Sequence, residues 1–407
     1  MFLQHFEVKN YMIHRDSKID LDPITVFVGA NNGGKSALFD ALINFSMVSR
    51  GKISQAFAPG PFSYDAMKYH GSGKVARISY NAVLSESSNS TDTISYSISY
   101  GYSKSSGFMI HDETIFDETG SIIFDRSDSE MYPMGKTSTY LNNEQSIFAA
   151  IRQAQHRNDY VETNSLVTMV ARDVSRISMY RLDPANLERP SRLLDTVNDE
   201  ATRSIVPRLS YRGEGLAAVL YYLSETQNPA FGTIVEKCAQ IVQGFETFEF
   251  NNVVPDKVGF SARFSDERGV VQAANLSDGT LISIGLVSLL TSSERNPIVC
   301  LEECENGLTP NVIRKIYDLM KEFVSGARGT PAQLLISSHS PYVVCEAWNG
   351  IERDFIYQLK SENGASKIRK FSDIIDLHQM PLEKDNDNKR TRLNLNTAER
   401  IMDGYLA

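Results

Sequence analysis

An α/β fold, with a mixed sheet and an antiparallel β portion beside it, is predicted by three stretches of this sequence. Residues 24 to 36 are an apolar run of β-branched and aromatic residues that ends in a glycine-rich turn and passes into the helical pattern of residues 36 to 42. Farther on, apolar strands at 298–301 and 333–337 alternate with helical stretches near 280–290 and 310–323, which implies a parallel sheet covered on both faces. Between residues 74 and 102 apolar residues recur every second position, as on antiparallel strands with one solvated face.

In order along the chain, residues 2 to 28 read as an antiparallel pair leading into the first buried strand. Residues 51 to 75, rich in Gly, Pro and Ser, read as a long loop. The alternating run that follows (Ile78, Tyr80, Ala82, Leu84, then Ile94, Tyr96, Ile98, Tyr100) is broken by the polar residues 85 to 92, and more strand is expected near 121–125. From about Asn142 the spacing turns helical at 145–154, 164–172, 215–223 and 231–242, interrupted by an extended piece at 177–184. Strands return at 247–250 and 258–264. The expected organisation is an amino-terminal lobe (1–130), a mainly helical insertion (131–245), a carboxy-terminal lobe (246–360) and a tail (361–407) whose charged run at 383–392 reads as an exposed link.

Composition narrows the class. The 407 residues are 42% hydrophobic and 22% charged, ordinary globular material. Forty-one basic and fifty acidic side chains leave a net charge of −9, which excludes a chain coated with positive charge but not a local basic groove. The insertion carries Arg172, Arg176, Arg181, Arg189, Arg192, Arg203, Arg208 and Arg212, interleaved with acids. Such a set suits either phosphate contacts or a solvated helix face. Cys238, Cys300, Cys304 and Cys345 are too scattered for a disulfide framework, and Cys300 with Cys304 reads as core packing. With no signal-like start and no apolar run near the length of a membrane span, a cytoplasmic protein without a membrane partner is expected.

Two clusters carry chemistry. Gly29, Gly34, Lys35 and Ser36 fit the spacing G-x-x-x-x-G-K-[ST] between a strand and a helix. Gly29, Asn31, Asn32, Gly33, Gly34, Lys35, Ser36 and Ala37 then form a cradle whose backbone N–H groups face a β-phosphate, reinforced by the positive end of the helix. Lys35 reaches the β- and γ-phosphates, and the Ser36 hydroxyl binds Mg²⁺. In the second cluster, Glu302 and Glu303 follow an apolar strand at its carboxyl end, where such sheets place their ligands. The first carboxylate suits the water shell of Mg²⁺ and the second the water that attacks a γ-phosphate.

With these in place the chain resembles ATPases of the ABC type, in the branch of RecF, the SMC proteins and the OLD-family nucleases. Gly29 to Ser36 is similar to Walker A, and 276–280 to the ABC signature. Residues 298–303 are similar to Walker B with its catalytic glutamate, 306–308 to the D-loop, and His339 to the switch histidine. The resemblance implies a homodimer or higher homo-oligomer sandwiching ATP, with Ser277, Asp278 and Gly279 of one copy reaching the nucleotide of the other, beside the positive end of the helix after Thr280. Lys35, Glu303 and His339 are its implied catalytic residues, and Ser36 and Glu302 its implied Mg²⁺ residues. Glu302 replaces the commoner aspartate, Cys304 a proline and Thr309 a histidine. For the Q-loop, Gln55 is the candidate.

Only about 68 residues follow His339, too few for the nuclease domain of OLD-like proteins, so any effector is expected on a separate chain. In plan the chain resembles the stand-alone sensor or regulatory ATPase subunits of bacterial anti-phage systems, such as PtuA of Septu and AriA of PARIS. That implies a separately encoded nuclease or toxin as partner and leaves DNA or a phage protein open as a further one. A RecF-like repair ATPase and a transporter nucleotide-binding subunit are the alternatives.

Overall fold

Ile24–Val28 becomes the middle strand of a covered sheet, and all five of its residues are buried. The computed structural model describes residues 1–57, 64–73, 76–103, 105–126, 131–134, 137–140, 143–156, 164–192, 196–198, 205–254, 256–291, 296–327, 331–350, 353–378, 380, 382–384 and 391–403. These fall into two compact units. The first comprises Met1–Ser178, Asn296–Cys300 and Ala332–Ala407; the second comprises Met179–Arg295 and Leu301–Pro331.

In the first unit Ile24–Val28 runs parallel to Gln333–Ser337 on one side, with Leu334 opposite Ile24 and Ser337 opposite Phe27. On its other side it runs parallel to Ile356–Glu362, which turns back into the antiparallel strand Ala365–Lys370. The sheet is therefore mixed. Because both its faces are covered, Ile24–Val28 and Gln333–Ser337 show no alternation and read in sequence as plain apolar runs.

The same unit holds an antiparallel sheet of six strands, in the order His14–Asp20, Phe2–Tyr11, Ile78–Ser85, Thr93–Ser103, Gly107–Phe116, Ile122–Asp125. Its alternation is as expected: Ile78, Tyr80, Ala82, Leu84, Ile94, Tyr96, Ile98 and Tyr100 are all buried. That face packs on the helix Lys35–Arg50. The Phe45 ring lies 5.6 Å from both Phe6 and Tyr80, and Asn44 Oδ1 accepts hydrogen bonds from the hydroxyls of Tyr80 (2.8 Å) and Tyr100 (2.5 Å). Burial pushes both phenols well up, so they stay protonated as donors.

Three stretches differ from expectation. Gly107–Phe116 is a full strand that its sequence conceals, because a charged residue, Glu113, occupies a wholly buried position. Glu113 is satisfied there by Arg126 Nε (2.9 Å), the Tyr96 hydroxyl (2.7 Å) and the Ile147 amide (2.8 Å). Residues 51 to 75 contain the single-turn helices Ile53–Ala56 and Tyr64–Met67. Residues 361–407 contain the sheet strand Ala365–Lys370 and the helices Phe371–Leu377 and Leu395–Met402; most of the charged run at 383–392 lies outside the described residues.

In the second unit, Ser191–Arg192, Lys257–Phe264 and Phe245–Val254 form an antiparallel sheet, with Val270–Gln272 also pairing to Lys257–Phe264. It carries an aromatic cluster in which Phe248 lies 4.8 Å from Phe245 and 5.9 Å from Phe260. Its longer helices among the described residues are Leu216–Glu225, Pro229–Ile241, Asp278–Thr291 and Pro310–Val324. Asp278–Thr291 is buried almost all round from Leu281 onward, which explains its lack of a polar face. Arg203 lies outside the described residues.

Candidate active site

The turn after Ile24–Val28 is shaped by glycine. Gly29 and Gly34 take φ of 130° and 105°, and Asn32 joins them in the left-handed region at 66°. A Cβ on Gly29 or Gly33 would stand 2.2 or 2.4 Å from the Leu359 carbonyl oxygen, so the neighbouring strand leaves room for backbone only. Helix Lys35–Arg50 begins directly behind Gly34. Lys35 is buried, and its ammonium donates to the carbonyls of Gly29 (2.6 Å) and Ala30 (3.1 Å), over the mouth of the loop. Asn31, Asn32 and Ser36 are exposed, with Ala37 half-buried beside them.

The loop is braced from behind by residues that sequence reasoning missed. Ser366 donates its hydroxyl to the Gly33 carbonyl (2.7 Å), and His14 Nε2 donates to the Gly34 carbonyl (2.9 Å) while Nδ1 meets the Ser17 hydroxyl (2.8 Å). A carbonyl only accepts, so His14 carries its proton on Nε2 and accepts from Ser17 at Nδ1. Burial pushes its imidazole down to about 4, against the opposing bond to Gly34. No local pattern marks either residue, since each acts only through a strand partner distant in sequence.

His339 is exposed, two residues beyond Gln333–Ser337. Since that strand runs parallel to Ile24–Val28, His339 follows the same end of the sheet as Gly29, and the Ser338 amide donates to the Phe27 carbonyl (2.9 Å).

In the second unit, Glu302 is buried and accepts a hydrogen bond from the Tyr211 hydroxyl (2.8 Å). Glu303 takes a left-handed φ of 47°, a strained setting for a non-glycine residue, and accepts from Arg181 Nη2 (2.7 Å) and Asn306 Nδ2 (3.3 Å) on the same oxygen, Oε2. Ser277 and Asp278 are exposed at the start of Asp278–Thr291, which opens two residues earlier than expected. Ser277 Oγ caps that helix by accepting from the Thr280 amide (3.3 Å), and it lies 2.9 Å from the Thr280 hydroxyl. A Cβ on Gly279 would stand 2.5 Å from the Gly307 carbonyl, so the signature and D-loop backbones touch. The second unit thus gathers the signature, the D-loop, Glu302 and Glu303, and the first gathers the phosphate loop and His339. Tyr211 was not foreseen at this site, and Arg181 was foreseen only among possible phosphate contacts; the extended piece at 177–184 amid helices was its faint signal. Gln55, the Q-loop candidate, caps a short helix by accepting from the Lys52 amide (3.2 Å).

The fold is similar to that of solved SMC head domains. A solved SMC head bound to the C-winged helix domain of ScpA is 12% identical with a TM-score of 0.52, the match covering 92% of this chain and 100% of that one. An SMC head with an extended coiled coil, bound to the C-terminal domain of ScpA and derived from Pyrococcus furiosus, is 12% identical with a TM-score of 0.51, covering 93% and 98%. The SMC head domain from Thermotoga maritima is 15% identical with a TM-score of 0.47, covering 91% and 99%. No curated protein matches the chain. A family model described as "AAA domain, putative AbiEii toxin, Type IV TA system" matches residues 24–345, and the chain belongs to that family. Among the described residues no helix is long and apolar enough to cross a membrane.

Proposed function

We propose that this chain binds and hydrolyses ATP as a dimer-forming switch, and that it regulates a separately encoded nuclease or toxin in bacterial anti-phage defence. The observation that carries the ATP reading is the phosphate loop: left-handed glycines, a helix starting at Lys35, and a neighbouring strand so close that only glycine fits at 29 and 33. Each unit offers a hard oxygen of the kind Mg²⁺ takes: the exposed Ser36 hydroxyl in the first, and in the second the Glu302 carboxylate, which accepts from a phenol. Mg²⁺ held by such oxygens would supply positive charge against that building on the phosphates.

In this reading Lys35 binds the β- and γ-phosphates, Glu303 orients the attacking water and His339 senses the γ-phosphate. Ser277 and Gly279 complete the nucleotide site of a second copy, with the start of Asp278–Thr291 directed at its phosphate. ATP then joins the two copies, and hydrolysis parts them. The regulatory role is supported by membership of a family whose description names a toxin system.

The test is sedimentation of wild type and Glu303→Gln with ATP and Mg²⁺. The variant is expected to bind ATP, hydrolyse it slowly and persist as a dimer. Wild-type turnover by Glu303→Gln would remove Glu303 from its role. Co-purification with the product of an adjacent gene, and release of toxicity when that gene is expressed alone, would support the defence role. ATP-dependent DNA binding without a toxic neighbour would support RecF-like repair instead.

A further inference from the structure

Both carboxylates at the end of the apolar strand carry a donor from the same small piece of chain. Arg181 Nη2 donates to Glu303 Oε2 at 2.7 Å, and the Tyr211 hydroxyl donates to Glu302 Oε2 at 2.8 Å. The two donors are tied at their backbones, since the Arg181 amide donates to the Tyr211 carbonyl (2.8 Å) and the Asp183 amide to the Arg212 carbonyl (3.1 Å). An Arg212–Asp183 ion pair at 3.6 Å fastens the same strip, and Asp183 caps the helix Pro184–Leu187 through the Ala185 amide (3.0 Å). The turn that follows Tyr211 is equally confined: Gly213 has φ of 95°, and a Cβ there would stand 2.6 Å from Leu187. Leu187 in turn fills the space beside Gly285, in the middle of the signature helix, where a Cβ would stand 2.9 Å from it. A single rigid strip therefore joins the signature helix to both carboxylates.

We infer that Arg181 and Tyr211 are positioning residues that restrain the two carboxylates until the signature helix engages its nucleotide, and that Arg181 is the stronger restraint. The charged N–H at 2.7 Å, with Asn306 on the same oxygen, holds the carboxylate turned toward Arg181, and withdrawal of the guanidinium leaves it free to turn to the attacking water. The bridge is built to yield. Arg181 is 44% exposed and Glu303 23%, so water competes for both partners. Movement of the signature helix is transmitted by Leu187 to the strip and so to Arg181.

This inference rests on the reading of Glu303 as the water-orienting residue, and the test separates the two. Phosphate release with ATP and Mg²⁺ is measured for wild type, Arg181→Ala, Arg181→Lys, Tyr211→Phe, Glu303→Gln and the Arg181→Ala/Glu303→Gln double variant; ATP affinity is measured by calorimetry. Arg181→Ala is expected to raise kcat about two- to fivefold, the worth of one partly exposed ion pair, with KM and ATP affinity unchanged. Arg181→Lys should lie between it and wild type, and Tyr211→Phe should raise kcat less. A rise in rate cannot come from a damaged fold. The double variant should be as slow as Glu303→Gln, because the gain needs the carboxylate. An unchanged or lowered kcat in Arg181→Ala, or a double variant as fast as Arg181→Ala, overturns the restraint. Equal rates in wild type and Glu303→Gln instead overturn the assignment of Glu303.

Discussion

His14 has both ring nitrogens committed, one to the phosphate-loop carbonyl of Gly34 and one to Ser17, in a site that water does not reach. Its folded value of about 4 lies below the 6.5 of an unburied imidazole, so the unfolded chain binds the extra proton first as pH falls. The stability His14 confers is present above about pH 6.5 and is lost as pH drops toward 4, by about 1 to 3 kcal/mol at most. Thermal melts of wild type and His14→Gln should therefore diverge at neutral pH and converge at acid pH; parallel curves would mean that the imidazole does not titrate with folding. Lys35, Ser36, Glu302 and Glu303 were legible in the sequence because each sits at a fixed offset from a strand end, whereas His14, Ser366 and Tyr211 were not. Their contacts span 20, 333 and 91 residues, and no local pattern encodes a partner so far away.

Among elements, the strand Ile356–Glu362 limits the phosphate loop most directly, since its Leu359 carbonyl leaves no space for a side chain at Gly29 or Gly33. Gly33→Ala should force the two backbones apart, destabilise the fold by about 1–3 kcal/mol and weaken ATP binding at least tenfold, as measured by denaturant melts and calorimetry. Gly279→Ala meets the Gly307 carbonyl in the same way, and it should spare ATP binding while preventing ATP-dependent association in sedimentation. The strands that bound the loop were readable as runs of β-branched residues. Gly107–Phe116 was not, because its buried Glu113 breaks the expected alternation and is compensated by Arg126 and Tyr96 on other elements. A Glu113→Leu substitution with Arg126 left in place should destabilise the fold by about 3 kcal/mol or more, as loss of one buried partner strands the other.

For the whole molecule, class was legible because five short motifs occur in a fixed order along the chain, and that order survives any drift in the residues between them. The helical insertion was read less fully, since its strand Ser191–Arg192 is short and takes its register from Lys257–Phe264, far along the chain. The bond from Ser366 to Gly33 joins positions 333 apart. A ribosome releases the phosphate loop first and its brace, Ile356 to Lys370, long afterwards. Nascent chains stalled before that brace should fail to retain ATP-agarose while chains that include it bind it, so the loop waits for a partner made much later than itself.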